Sequence, residues 1–318
     1  MSSEPPDLEP TVVPDPTYSY DLEALLKVSA PRGPADFASF WEDTYAEARA
    51  VPLRLTTRQV KSPRRSFEVH EVEFDAFGGV RIGGWLTRPM NGPIGYGLVI
   101  GHGYGGRNEP AYEDGAVVLA PCARGFNRSS CHDIPNDAAR HVLHGIASRE
   151  TYVHRGCVTD LWAAASALLD LHPEIAPRLH YAGTSFGGGI GALALPWDNR
   201  FCKAFLQVPS FGNHPLRLQL PCSGSGESVR QYHRLHPEVT EVLTYFDAAT
   251  AARYITRPVL IAPALYDPAV PPPGQFAVHN GLAGTKELFI HQRGHAESHT
   301  EAREMRELLK RLDRWWRE

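Results

Sequence analysis

The 318 residues hold no long hydrophobic run; the most apolar stretch, Phe186 to Pro196, is short and rich in glycine. A membrane span is excluded by that length, and a buried helix suits the stretch better. Excess positive charge is also missing: the formal net charge is −4, which gives no electrostatic case for nucleic acid or an anionic membrane surface. Arg64-Arg65 therefore reads as solvated surface. Cysteine is scarce and odd in number, five in all, with no C-x-x-C spacing to suggest zinc or a redox pair. Free thiols in a reducing cytoplasm are expected, with no metal and no cofactor. The first residues, Met1 to Asp7, have neither a basic region nor an apolar one, so no secretion signal is read there. No internal repeat is found.

What is present is ordinary for a globular chain, at 42% hydrophobic and 21% charged residues. One catalytic domain is expected over 21–318, with an N-terminal helical extension. The proline- and acid-rich residues 1–20 should form an extended, weakly ordered arm. From Asp36, read as an N-cap, Phe37, Phe40, Trp41 and Tyr45 recur at helical spacing and predict one apolar face. Phe67 to Phe77 and Val80 to Leu86 flank Gly78-Gly79 and predict a hairpin. Strand and helix then alternate: Gly97 to Gly101, Ala116 to Ala120, a helix over Thr159 to Leu171, and Leu179 to Gly183. That alternation predicts the α/β class, a mostly parallel central sheet with helices on both faces. Glu301 to Trp316 reads as a closing amphipathic helix, and Cys131 to His154 as a long functional loop.

Chemistry is carried by Gly183-Thr184-Ser185-Phe186-Gly187 at the end of a buried strand. Glycines two positions either side of the serine permit a sharp strand-to-helix turn that lifts its hydroxyl above the sheet edge. Downstream, Asp267 follows the apolar strand Pro258 to Leu265, and His295 follows the strand Glu287 to Ile290. All three lie just beyond the carboxyl ends of strands, where open α/β sheets place their active groups. The order serine, aspartate, histidine is that of α/β-hydrolases. Ser225, in Ser223-Gly224-Ser225-Gly226, lacks the glycine two positions before it and follows no strand, His102 lies before the serine, and Asp247 opens a helix and suggests a cap. The oxyanion donors expected are the backbone N–H of Phe186 and, from the loop Gly101 to Gly106, that of Tyr104. Gly101, Gly103 and Gly106 also satisfy G-x-G-x-x-G, but no acidic residue ends the next strand and Pro110 falls where a helix should open. A dinucleotide-binding oxidoreductase is thus a remote alternative.

These residues resemble the acetyl xylan esterases of carbohydrate esterase family seven, which also contains cephalosporin C deacetylases. The resemblance runs from about Asp36 to the C-terminus, through Phe40-Trp41, His102-Gly103-Tyr104, Arg124-Gly125, the Ser185 motif, Tyr245-Phe246-Asp247 and Ala283 to Glu287. It implies an α/β-hydrolase fold, a serine esterase acting on acetylated xylo-oligosaccharides or cephalosporin-type acetates through an acetyl-enzyme, and a homo-oligomer, in that family a hexamer. It further implies Ser185, Asp267 and His295 as the triad and Tyr104 as an oxyanion residue, with the 131–154 excursion at the active-site rim and subunit contacts. Where the family usually carries glutamines, this chain has Phe126 and Phe186, and Ala296 stands before Glu297. The two phenylalanines are expected to lie near each other, an apolar contact replacing a polar one. An ester hydrolase of the same fold with another acyl or alcohol preference is the alternative.

Overall fold

The computed structural model describes residues 13–297 and 301–318. Its strands are β1 (Thr56–Val60), β2 (Phe67–Ala76), β3 (Val80–Pro89), β4 (Tyr96–Gly101), β5 (Ala116–Pro121), β6 (Leu179–Thr184), β7 (Phe201–Gln207), β8 (Val259–Ala262), β9 (Ala264–Tyr266), β10 (Lys286–Leu288) and β11 (His291–Arg293). Nine form one sheet in the order β1-β2-β3-β5-β4-β6-β7-β8-β10, while β9 and β11 pair with each other. The expected hairpin is β2–β3, with Ala76 opposite Val80. From β5 through β10 every neighbouring pair is parallel, so the active half of the sheet is of the α/β kind.

The strands of that half are apolar on both sides because both sides are covered. Along β5, Val117 and Leu119 enter the core shared with the helices Val153–Leu171 and Phe186–Ala194. Ala116, Val118 and Ala120 point the other way, to Leu308, Trp315 and Trp316 of the helix Glu301–Arg317. Trp316 stacks on His180 with ring centroids 5.4 Å apart. A side chain of that size contributes on the order of 1.5–3 kcal/mol when fully buried.

Four expectations change. The helix expected from Thr159 begins at Val153. His154 and Gly156 have loop-like character, yet Gly156 is small because the Arg124 guanidinium occupies its side-chain space, and Arg124 pairs with buried Asp160 at 2.7 Å one turn on. The strand expected over Pro258 to Leu265 is divided at Pro263 into β8 and β9, since proline has no N–H for the ladder. The strand expected over Glu287 to Ile290 ends at Leu288 as β10, and a separate strand, β11, begins beyond it at His291. Asp36 occupies the N-cap position without making a cap bond; its carboxylate instead accepts from Arg149 at 2.7 Å and from Tyr245 at 2.5 Å.

The arm expected over 1–20 lies outside the described residues up to 12, and from 13 onward it is turned and docked rather than extended. Asp15 accepts from the N–H groups of Thr17 and Ser19 at 3.0 and 2.8 Å, closing the Asp-Pro turn. The carbonyl of Pro16 accepts from the N–H of Asp267 at 3.0 Å, and the Tyr18 hydroxyl donates to the carbonyl of Pro221 at 2.7 Å.

Candidate active site

Ser185 stands between β6 and the helix Phe186–Ala194 with φ 56° and ψ −114°, a strained conformation for a residue with a side chain. Two close approaches hold it there. A Cβ on Gly183 would come 2.4 Å from the carbonyl oxygen of Gly187, and one on Gly187 would come 2.7 Å from the backbone of Gly101. The N–H of Ser185 donates to Gln207 at the end of β7 at 2.8 Å, and its carbonyl accepts from Ser210 at 3.1 Å. Glycine spacing thus fixes a turn that the neighbouring strand then locks.

The aspartate and histidine arrive together on the β9–β11 ribbon. Asp267 follows β9 and is fully buried; His295 follows β11. The Nδ1–H of His295 donates to Asp267 Oδ2 at 2.8 Å, which leaves Nε2 to accept from the Ser185 hydroxyl at 2.9 Å. Burial works against protonating His295, but the hydrogen bond and the charge of Asp267 outweigh it and raise its pKa above the ordinary imidazole value. The second carboxylate oxygen accepts from the N–H groups of Ala269 and Val270, each at 2.9 Å. Gln275, a residue the sequence reading passed over, donates to Asp267 Oδ2 at 2.9 Å and accepts from Ala264 at 2.8 Å. Its only sequence signal is a polar residue on the otherwise apolar start of the helix Pro272–Gly281.

Tyr104 and Phe186, the expected oxyanion donors, flank the serine. The N–H of Phe186 opens a helix and has no intrahelical acceptor. That of Tyr104 has no acceptor among the described residues. His102 shapes this loop: its Nδ1–H donates to the carbonyl of Gly103 at 2.6 Å and its Nε2 accepts from Ala123 at 2.9 Å. Burial brings its pKa down to about 4, so it is neutral. No helix follows Gly106 before β5, so the phosphate-binding helix of a dinucleotide fold is missing there.

Below the loop lies a nest of aromatic and imidazole rings. Tyr104 packs on Phe186 with centroids 4.2 Å apart, and Phe126 lies 6.5 Å from Phe186, so the two phenylalanines are near each other as expected. The Tyr104 hydroxyl is hydrogen-bonded with His154 Nε2 at 2.9 Å. His141 donates from Nε2 to the carbonyl of Arg124 at 3.0 Å and packs on Phe126 at 4.7 Å. Burial holds both histidines well below the ordinary imidazole pKa. The 131–154 segment is therefore not simply a loop: it contains the helix Ala138–His141 and supplies this floor. Asp247 is a cap, accepting from Ala249, Thr250, Asn213 and His214.

A cleft of about 620 Å³ opens over Ser185 and His295. Ala138 and Ala139 form part of its rim, and Arg217, Ser223, Ser225 and Ser228 part of its wall. Arg217 and these serines had no motif to mark them; the small, polar run Ser223 to Ser228 was the available hint. Among the described residues no cluster of His, Cys, Asp or Glu is arranged to hold a metal, the five cysteines are unpaired, and no helix is long and apolar enough to cross a membrane.

The sheet order, the strained serine turn and the strand-end acid and histidine define an α/β-hydrolase. Residues 20–311 match the acetyl xylan esterase (AXE1) family model, and the chain belongs to that family. Among solved structures, an acetyl xylan esterase from Paenibacillus sp. R4 is 24% identical with a TM-score of 0.75, covering 92% of this chain and 99% of its own. Acetyl xylan esterase 1 from Thermoanaerobacterium sp. JW/SL YS485 is 21% identical with a TM-score of 0.76, covering 91% and 97%. At such identities the likeness speaks for the fold. The acetyl esterase Axe7A of Xylanibacter ruminicola is 23% identical over 278 residues, or 81% of this chain; the match spans 62% of that protein's length.

Proposed function

We propose that this protein is a serine esterase that removes acetyl groups from small acetylated carbohydrates such as xylo-oligosaccharides. The observation that carries the reading is the continuous chain of hydrogen bonds from Ser185 through His295 to Asp267, at 2.9 and 2.8 Å, in the floor of an open cleft. Membership of the acetyl xylan esterase family supports the acetyl ester as substrate.

In this mechanism His295 Nε2 takes the hydroxyl proton as Ser185 Oγ attacks the acetyl carbonyl carbon. Negative charge develops on the carbonyl oxygen and is met by the free N–H groups of Tyr104 and Phe186; one such donor is worth roughly a hundredfold to a thousandfold in rate. Collapse expels the sugar alcohol, which receives the proton from His295. Water then attacks the acetyl-enzyme, again giving a proton to His295, and acetate leaves as Ser185 recovers its hydrogen. Asp267 keeps the proton-bearing Nδ1 turned toward itself and stabilises the imidazolium.

Cleavage of cephalosporin-type acetates, assembly as a homo-oligomer and residence in the cytoplasm belong to the same proposal. Acetate release from acetylated xylo-oligosaccharides beside 4-nitrophenyl acetate and butyrate, with Ser185→Ala as blank, tests it. Fast sugar deacetylation is expected; good butyrate cleavage without sugar deacetylation would mean another ester is the substrate. Light scattering in solution reads the assembly.

A further inference from the structure

Arg217 is the charged group in the cleft that the hydrolytic mechanism leaves unused. It lines the same cleft as Ser185 and His295, yet it is only 7% exposed. Its guanidinium lies over the ring of Phe211 at 5.5 Å, and among the described residues no carboxylate, carbonyl or hydroxyl accepts a hydrogen bond from it. A guanidinium presents five donors in a fixed fork, and here, among the described residues, they are left without an acceptor.

Its surroundings add to the imbalance. The guanidinium abuts the first turn of the helix Ser225–Leu235, where a Cβ on Gly226 would come 2.2 Å from Nη2. That helix has Gly224 as N-cap and no side-chain cap, so its positive end and the cation lie side by side. The acid in the same wall, Glu227, is committed elsewhere: to Arg230 at 2.6 and 2.8 Å, to Gln231 at 3.1 Å and to the N–H of Cys222 at 3.2 Å. The hydroxyls of Ser210, Ser223, Ser225 and Ser228 also line the cleft with no partner among the described residues. A buried cation, a helix N-terminus and four unclaimed hydroxyls form a ready site for a planar anion, and the guanidinium fork matches a carboxylate.

We propose that Arg217 determines substrate choice by binding a carboxylate on the alcohol portion of the ester, so that the preferred substrates are acetylated acidic alcohols, an acetylated uronic acid foremost. This rests on the esterase reading above. Neutral acetylated sugars enter the same cleft but leave the arginine unpaired.

Two pairs of acetates differing only in the carboxylate test it: an acetylated methyl glucuronoside beside the acetylated methyl glucoside, and 7-aminocephalosporanic acid beside its methyl ester. The acid of a pair should have the higher kcat/KM, by roughly tenfold to a hundredfold, as a charge-assisted hydrogen bond supplies. A preference in the sugar pair identifies uronic acids, one in the lactam pair alone identifies a non-sugar acid, and both support the shared chemistry. Equal rates within both pairs overturn the role of Arg217 while leaving the esterase standing; no acetate from any of the four overturns the esterase reading itself. In Arg217→Gln the ratio should fall to about one, with Arg217→Lys retaining part of it. An unchanged ratio in a folded Arg217→Gln protein, or an equal slowing of acid and neutral esters, refutes the assignment. Should that variant not fold, stronger inhibition of wild-type 4-nitrophenyl acetate cleavage by glucuronate than by glucose carries the test, and equal inhibition refutes it.

Discussion

The Asp267 carboxylate accepts hydrogen bonds from Ala269, Val270, Gln275 and His295, whereas the Arg217 guanidinium, buried in the cleft wall, is hydrogen-bonded to nothing among the described residues. Asp267 is fully buried and Arg217 is largely so with its guanidinium on the cleft, and the protein treats the two charges oppositely. Groups that set the geometry of the proposed reaction are saturated by the protein itself, so they hold still in the absence of substrate. On the 217–228 wall, Arg217 and the hydroxyls of Ser223, Ser225 and Ser228 have no partner among the described residues, while Glu227 between them is paired with Arg230. The saturated group orients the proposed base, whereas the open donors, the amides of Tyr104 and Phe186 as much as this wall, are left for a ligand.

The sharpest way to break this contrast is at the serine. Ser185→Ala should lower kcat for 4-nitrophenyl acetate by about 10⁴-fold or more while the thermal midpoint holds or rises, since a reactive side chain on a strained turn contributes little to folding. Activity within tenfold of wild type would remove Ser185 from the mechanism.

Asp267→Asn comes next, with kcat expected to fall by about 10⁴-fold, and it carries a pH signature. Only neutral His295 can accept the serine proton, and its pKa is raised, so the acid limb of kcat/KM in wild type should lie above pH 6.5. Without the aspartate's charge, burial alone remains and depresses that pKa, so the limb should move to lower pH. The same sign governs stability: the charged pair contributes fully below the unfolded value of 6.5 and loses its effect as pH rises through the folded one. A limb that stays in place would show that another group titrates.

Gln275→Leu should be smaller, costing about 1–3 kcal/mol of stability because the N–H of Ala264 loses its acceptor. Denaturant midpoints measure that. A fall in kcat with an unshifted KM would show that Gln275 positions Asp267 rather than merely filling space. Smallest of all is Tyr104→Phe, which removes the bond to His154 but keeps the backbone N–H: less than tenfold in kcat is expected, with about 1–2 kcal/mol of stability. A loss of a thousandfold would mean that the phenol, not the amide, meets the oxyanion.

The three residues joined by the hydrogen-bond chain were readable because each follows a strand, and strand ends converge on one edge of a parallel sheet. The β2–β3 hairpin was readable from Gly78-Gly79 between alternating stretches. Other features depend on partners far along the chain. Nothing local to His154 or Gly156 announces a helix, because the helix is stabilised there by Arg124 and Asp160 fitting across the glycine. Asp36 looked like a cap, but Arg149 and Tyr245, more than a hundred residues away, claim its carboxylate. Residues 15–20 have a disordered composition and are nonetheless docked through a proline carbonyl, an acceptor that every residue carries and no composition reveals. Arg217 was silent for the same reason: its meaning lies in the lack of partners, which only a packed structure can express.

The division of β8 from β9 at Pro263 has a mechanical consequence. Asp267 and His295 ride on one two-stranded ribbon, held in register by Ala264 opposite His291 and Tyr266 opposite Arg293, while Ser185 rides on the main sheet. A tilt of the ribbon relative to the sheet would change the gap between histidine and serine and leave that between histidine and aspartate fixed. Acid and base are thus carried as one unit, and the histidine–serine hydrogen bond is the contact of the triad that spans ribbon and sheet.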